Sequence, residues 1–178
     1  IADIGAGSGY YSFRIAGLIS NGKVIAVDIQ QEMIDHLKEE AERRKIGNVQ
    51  PHLGAIEGIR VAPNTLDAVL MVDAYHEFSH PVEMLQSIKS ALKPGGMVVI
   101  YSKGVDETRT SDPALLSNID ISNCGPHGES YTASEYKQMV TNAGFKEVTH
   151  NEPVITRGIK KIIHLPGEGF PVMKSFPR

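Results

Sequence analysis

The chain is poor in cysteine: its 178 residues include one, Cys124. No intrachain disulfide framework can form, and a reducing, cytoplasmic setting is the expected one. Long apolar runs are also missing. No segment approaches the roughly 18 consecutive apolar residues of a membrane-spanning helix. Excess charge of either sign is absent as well. Eighteen Lys and Arg against 21 Asp and Glu leave a net charge of −3, so nothing global draws the chain to nucleic acid or to an anionic membrane. There is no internal repeat and no low-complexity tract. What remains is an ordinary globular balance, 41% apolar and 22% charged, which excludes wholesale disorder and suffices for one domain with its own core. The opening residues do not read as a signal peptide. Ile1 already lies inside what reads as the end of a buried strand, so the residues that normally precede that strand are expected to be missing.

The order of elements is regular. Residues 1–4 read as a strand, and the run Gly5 to Gly9 follows it. Residues 10–20 read as a helix with Phe13, Ala16 and Ile19 on one face. Residues 23–28 (KVIAVD) are a continuous apolar, β-branched run, the mark of a strand buried on both faces. Residues 31–45 predict a helix whose stripe is Met33, Ile34, Leu37 and Ala41, ended by Gly47-Asn48. Strands are expected at 49–53 and 66–72. A helix at 81–92 should bury Val82, Leu85, Ile88 and Leu92. The sharp turn Lys93-Pro94-Gly95-Gly96 then leads into a strand at 97–101. Residues 102–131 are polar and ambiguous. Thr132 to Glu135 spells a capping box that opens a helix with Tyr136, Met139, Val140 and Ala143 inward. Residues 145–151 and 160–165 look like a closing antiparallel pair of strands, and residues 166–178 like an irregular tail. Strands alternating with helices predict an α/β fold: one domain over residues 1–165, a doubly wound, mostly parallel sheet.

The strongest signal is Asp3-Ile4-Gly5-Ala6-Gly7-Ser8-Gly9, which joins a strand to a helix. Glycines permit backbone angles closed to other residues and let a ligand approach the main chain, while a helix start offers unpaired N–H groups. Asp28 ends the next strand. In a doubly wound sheet its carboxylate stands beside the glycine run, placed to accept hydrogen bonds from ribose hydroxyls. A dinucleotide fingerprint reads G-x-G-x-x-G. The spacing here is G-x-G-x-G, and Tyr10 stands where the third dinucleotide glycine would fall. A carboxylate just before the run, Asp3, also suits a cationic or zwitterionic ligand better than a pyrophosphate.

With these residues the chain resembles the class I S-adenosylmethionine-dependent methyltransferases, a Rossmann-like family. The glycine run looks like that family's motif I, VIAVDIQQEMID like its second strand with the ribose-binding acid, LDAVLMVDAYHEF like its fourth strand, and LKPGGMVVIY like the approach to its fifth. The resemblance implies S-adenosyl-L-methionine as cofactor. It implies a binding site of Asp3, Gly5, Ala6, Gly7, Gly9 and Tyr10 at the first turn, with Asp3, Gly5 and Gly7 on the amino-acid part and Gly9 allowing close approach. Asp28 would bind the ribose, and Ile29 and Met33 would pack on the adenine. Ala55 and Ile56 would follow the third strand, and Val72 and Asp73 would close the fourth. Ala55 departs from the pattern, because the family often carries an acid there.

His76-Glu77-Phe78-Ser79-His80 spells H-E-x-x-H, a zinc-protease pattern when it lies within one helix. Here it follows a buried strand directly, and Pro81 follows the second histidine. Proline favours the first helical turn, so the helix is expected to begin after the motif. No metal is expected, although Asp73 with Asp106 leaves a metal-dependent O-methyltransferase conceivable. Asp73, Tyr75, His76 and Glu77 sit at the C-terminal end of a central strand, where open α/β sheets bind ligands.

A base is needed only when the methyl acceptor carries a proton. His76 is the leading candidate, with Glu77 and His127 as alternatives. Cys124 has no neighbours that support a nucleophilic role, and the chain lacks an Asn-Pro-Pro-Tyr motif. The expected acceptor is therefore a small molecule, with no nucleic acid or membrane partner. Two other readings stay open: a noncatalytic cofactor-binding module of the same fold, and an NAD(P)-dependent oxidoreductase.

Overall fold

A computed structural model describes residues 1–103, 133–146, 149–151 and 160–165. Its elements run β1 (Ala2–Ile4), α1 (Tyr10–Leu18), β2 (Val24–Asp28), α2 (Gln31–Arg44), β3 (Val49–Leu53) and β4 (Leu66–Val72). A short 3-10 turn (Tyr75–Glu77) follows, then α3 (Pro81–Ala91), β5 (Leu92–Lys103), α4 (Ala133–Asn142), β6 (Thr149–Asn151) and β7 (Lys160–Leu165). The strands form one sheet in the order β3-β2-β1-β4-β5-β7-β6. The first five are parallel, and β7 runs antiparallel to both β5 and β6. β3 has only β2 as a partner among the described residues, which is why Pro51, unable to donate to a ladder, is tolerated in it.

The side-chain alternation of the strands divides the core into two. Ala2, Ile4, Val69 and Met71 pack with Leu85, Ile88 and Ala91 of α3 and Val140 of α4. Val24, Ala26 and Val49 pack on the other face with Phe13, Ile15 and Ala16 of α1 and Ile34 and Leu37 of α2. β1 lies between β2 and β4. The chain leaves β1 toward β2 and β3, then returns to its other side at β4. The C-terminal ends of β1 and β4 thus flank the point where the direction of winding reverses, the usual ligand crevice of such sheets.

Three expectations need correction. The buried stripe of α3 is Met84, Leu85, Ile88 and Ala91, whereas Val82 is 45% exposed. At 3.6 residues per turn Val82 stands about half a turn around the helix from Met84 and Ala91, outside the stripe that faces the sheet. The turn expected before β5 lies inside that strand. Leu66 pairs with Leu92 and Ala68 with Met97, so Lys93 to Gly96 loop out of an otherwise continuous ladder. Gly95 permits this with φ +77°, and Lys93 pairs with Asp67 across the bulge at 2.7 Å. β6 is confined to Thr149–Asn151, shorter than the expected strand from residue 145. Phe145 instead closes α4, its N–H donating to the Val140 carbonyl at 3.2 Å. Thr132 of the expected capping box lies outside the described residues.

The corrected stripe yields a direct comparison. Ile88→Ala, at a fully buried position, should lower unfolding free energy by about 2–5 kcal/mol, and Val82→Ala by less than about 0.5 kcal/mol. Urea denaturation of the two variants measures both.

Candidate functional site

The site begins with the backbone groups that leave β1. The N–H groups of Gly5 and Ala6 both donate to the Val27 carbonyl, at 2.9 and 3.0 Å. The next glycine continues the seam through a side chain: Gly7 N–H donates to Asp28 Oδ2 at 2.9 Å. The other carboxylate oxygen of Asp28 accepts from Gln30 N–H at 3.0 Å, which fixes its orientation. The aspartate that closes the second strand therefore stands against the glycine run.

The three glycines have three different reasons. All have positive φ: +72° at Gly5, +51° at Gly7 and +84° at Gly9. A Cβ on Gly5 would lie 2.6 Å from the Cβ of Ala74. A Cβ on Gly9 would lie 2.5 Å from Phe13 Cε2 and 2.6 Å from Leu37 Cδ2. A Cβ on Gly7 would meet nothing within 4 Å among the described residues. On its Cβ side Gly9 is packed by α1 and α2. Gly5 is exposed and Gly7 half-buried, and of the three only Gly7 has open space on its Cβ side. Tyr10 is 56% exposed at the start of α1, with the Arg14 guanidinium 3.5 Å over its ring and the Tyr11 ring edge-on.

Asp3 lies on the α1 face of β1 and is 2% exposed. Ser12 Oγ donates to its Oδ2 at 2.6 Å. Burial pushes its carboxyl above the ordinary value of 3.8; hydrogen bonds from Ser12 pull the other way, and the charge of Asp28 adds to the rise. Ser12 was not visible as a site residue in the sequence. Its only signal is that it falls three residues after Gly9, on the side of α1 that returns to β1.

At the ends of β2 and β3 the register pairs Asp28 with Leu53. Gly54 N–H donates to the Asp28 carbonyl at 2.9 Å, and Ala55 and Gly58 exchange backbone hydrogen bonds in a tight loop. Ile29, Leu53 and Ile56 are all exposed, and all lie at this one edge. Met33 and Ala55 are half-buried behind them. Leu53 was missing from the expected set, although the strand pairing alone would have placed it beside Asp28.

Across the crevice, β4 ends at the half-buried Val72. Asp73 follows in left-handed backbone, and its N–H donates to the Tyr101 carbonyl at 2.7 Å. The 3-10 turn then carries Tyr75, His76 and Glu77. Tyr75 is buried, its hydroxyl 3.7 Å from Met139 Sδ and its ring edge-on to Phe78. His76 is buried too, with Nε2 3.1 Å from Glu77 Oε1. His80 sits at the N-cap of α3, where Ser79 Oγ lies 3.0 Å from its Nδ1. The H-E-x-x-H letters are therefore split between a 3-10 turn and a helix start, as Pro81 implied, and the two histidines do not share one helix face. No group of three potential metal ligands occurs among the described residues. His127, Cys124 and Asp106 lie outside them.

A protein-family model described as a methyltransferase domain matches residues 1–144. Among curated proteins, a tRNA U34 carboxymethyltransferase of Desulfotalea psychrophila is 28% identical over 105 residues, covering 59% of this chain and 32% of its own length. An arsenite methyltransferase of Halobacterium salinarum is 28% identical over 149 residues, covering 83% of this chain and 37% of its own length. The chain thus spans about a third of the length of these relatives. A solved structure described as a SAM-dependent methyltransferase from Aquifex aeolicus superposes with a TM-score of 0.69 at 23% identity, over 92% of this chain and 79% of that one, and shares its fold.

Two outcomes follow from this geometry. Gly7→Ala should lower stability by about 1–2 kcal/mol through backbone strain alone. Gly9→Ala adds overpacking and should lower it by about 2–5 kcal/mol, an order that denaturant titration can check. For Asp3 the sign is set by its raised pKa. The folded chain keeps that proton to higher pH than the unfolded one, so the gain in stability is complete below 3.8 and is lost as pH rises through the folded-state value. Asp3→Asn has no such titration. Its stability relative to the native chain should therefore rise with pH over that window, and a pH-independent difference in urea midpoints would contradict the assignment.

Proposed function

The chain belongs to the methyltransferase domain family, the class I S-adenosylmethionine-dependent methyltransferases, and we propose that it transfers a methyl group to a small-molecule acceptor. One observation carries the reading: at the C-terminal ends of β1 and β2, beside the winding switch point, the Asp28 carboxylate accepts from Gly7 N–H at 2.9 Å, and open space lies on the Cβ side of that glycine. An open stretch of backbone, a carboxylate for vicinal hydroxyls and an apolar ledge fit a nucleoside with a charged amino-acid tail. S-adenosylmethionine supplies, when bound, a methyl group on an electrophilic sulfonium.

The chain's own residues have three tasks. The first is to hold the cofactor. Asp28 accepts from the ribose hydroxyls, and Ile29, Met33, Leu53, Ala55 and Ile56 cover the base. Gly5, Ala6 and Gly7 line the amino-acid end with Asp3 beneath them; Tyr10, Val72 and Asp73 border it. The second is to keep water out and align the acceptor with the methyl group, which is where most of the rate enhancement of such a displacement resides. The third arises when the acceptor is a hydroxyl or an ammonium. His76 then takes up its proton, Glu77 orients the imidazole, and His127 is the other candidate for the same task.

The charge along the acceptor side supports a small neutral or cationic acceptor. No Lys or Arg occurs between Arg60 and Lys89, a stretch that contains β4, the 3-10 turn and most of α3 and carries Asp67, Asp73, Glu77 and Glu83. Phosphate-rich partners need the opposite. A nucleic-acid acceptor is the second reading, because one relative is described as acting on tRNA. A dinucleotide cofactor is disfavoured by the G-x-G-x-G spacing and by the family match.

Calorimetry with S-adenosylmethionine and its demethylated product tests the cofactor. Asp28→Ala should weaken binding by about 10–100-fold, the worth of hydrogen bonds to a charged group. Unchanged affinity in that variant, or binding of NAD in place of either ligand, would overturn the reading. Transfer of labelled methyl to a panel of small amines, hydroxyls and thiols, alongside total tRNA, separates the two acceptor classes; binding with no transfer to any of them would mark a noncatalytic module.

A further inference from the structure

The cofactor side and the acceptor side of the crevice meet at Gly5 and Ala74. Asp73 closes β4 with φ +49°, a conformation few residues other than glycine adopt, and its hydrogen bond to the Tyr101 carbonyl pins that corner to β5. The corner turns Ala74 back over the end of β1. Ala74 is buried and sits close enough to Gly5 that even a methyl group on the glycine would collide with it. The chain passes from Ala74 straight into the 3-10 turn, where Glu77 N–H donates to the Ala74 carbonyl at 3.0 Å and His76 lies between the two. On the other side Gly5 is tied to the Val27 carbonyl, one residue before Asp28. A continuous series of tight contacts thus runs from the end of β2, through Gly5 and Ala74, to the turn that carries His76.

We propose that Ala74 is a positioning residue: its methyl group couples the glycine run that holds the cofactor to the turn that presents His76, so that cofactor occupancy sets the orientation of the imidazole. The inference rests on the methyl-transfer reading above. Its physical basis is close packing. A contact without slack passes a displacement on, whereas a gap of one methyl group absorbs it. The side chain at 74 must then be small and must not be absent. A larger one presses on Gly5, and glycine breaks the contact.

The test uses S-adenosylhomocysteine as probe and the ring proton signals of His76 as readout, assigned by their loss in His76→Gln. In the native chain, saturation with the probe is expected to shift the His76 signals. Ala74→Gly should weaken probe affinity by less than about threefold and abolish that shift, while Ala74→Ser, which restores a Cβ at the contact, should retain it. A native chain that binds the probe with no change at His76 would overturn the proposal. So would an Ala74→Gly variant whose His76 responds as the native chain does. Failure of the native chain to bind either S-adenosylhomocysteine or S-adenosylmethionine would instead sink the methyl-transfer reading itself. The contact is then read without ligand: Gly5→Ala should move the His76 signals in the native background and leave them in place in the Ala74→Gly background, and equal movement in both would overturn the coupling.

Discussion

Three successive N–H groups leaving β1 need partners, and two adjacent residues at the end of β2 provide them. Gly5 and Ala6 share the carbonyl of Val27, and Gly7 takes the carboxylate of Asp28. These three hydrogen bonds tie the path of the loop to where those two oxygens stand. That path forces positive φ at Gly5, Gly7 and Gly9 and sets the direction in which α1 departs. It also brings the one ionised group at the end of β2 to the accessible backbone. The fold and the proposed cofactor site are consequences of the same small set of hydrogen bonds.

Asp3 is an ionisable side chain at a position the fold buries. β1 is central, and its side chains alternate between the two cores, so the residue at position 3 is buried whatever its chemistry. A carboxylate there is stabilised by Ser12 but still loses hydration. A chain selected only for stability would place an apolar or neutral residue at that position.

The end of β4 is built on a different principle. Asp73 is held in an unfavourable backbone conformation by a single hydrogen bond to β5, and this corner throws Ala74 onto Gly5 and Tyr75 into the core. His76 and Glu77 are carried on a turn anchored at its start, by Ala74 against the glycine run and by Tyr75 toward Met139 of α4. The same letters within a continuous helix would present two histidines on one face. Here Tyr75–Glu77 is a 3-10 turn that ends in extended backbone at Phe78, and Pro81 starts a new helix. A motif's chemistry follows the backbone that carries it.

The α/β class, the parallel strands and the place of the glycine run were legible in the sequence, because they rest on local properties. Buried parallel strands read as unbroken β-branched runs, helices show a 3.6-residue stripe, and glycine and proline mark where the chain turns. The identity of Asp28 as the partner of the loop was legible for the same reason, since it is the last residue of such a run. Other features depend on what lies across a gap of many residues. The sequence holds nothing that says Gly9 is filled by Phe13 and Leu37 while Gly7 stays open, that Ser12 meets Asp3, or that Val82 stays outside the buried stripe of α3. It cannot show that Lys93 to Gly96 bulge out of a continuous strand, because a bulge is defined by the register of its neighbour. Periodicity reports which side of an element is apolar; only tertiary packing decides which atoms occupy the space on that side, and here it fills the space beside Gly9 and leaves it open beside Gly7.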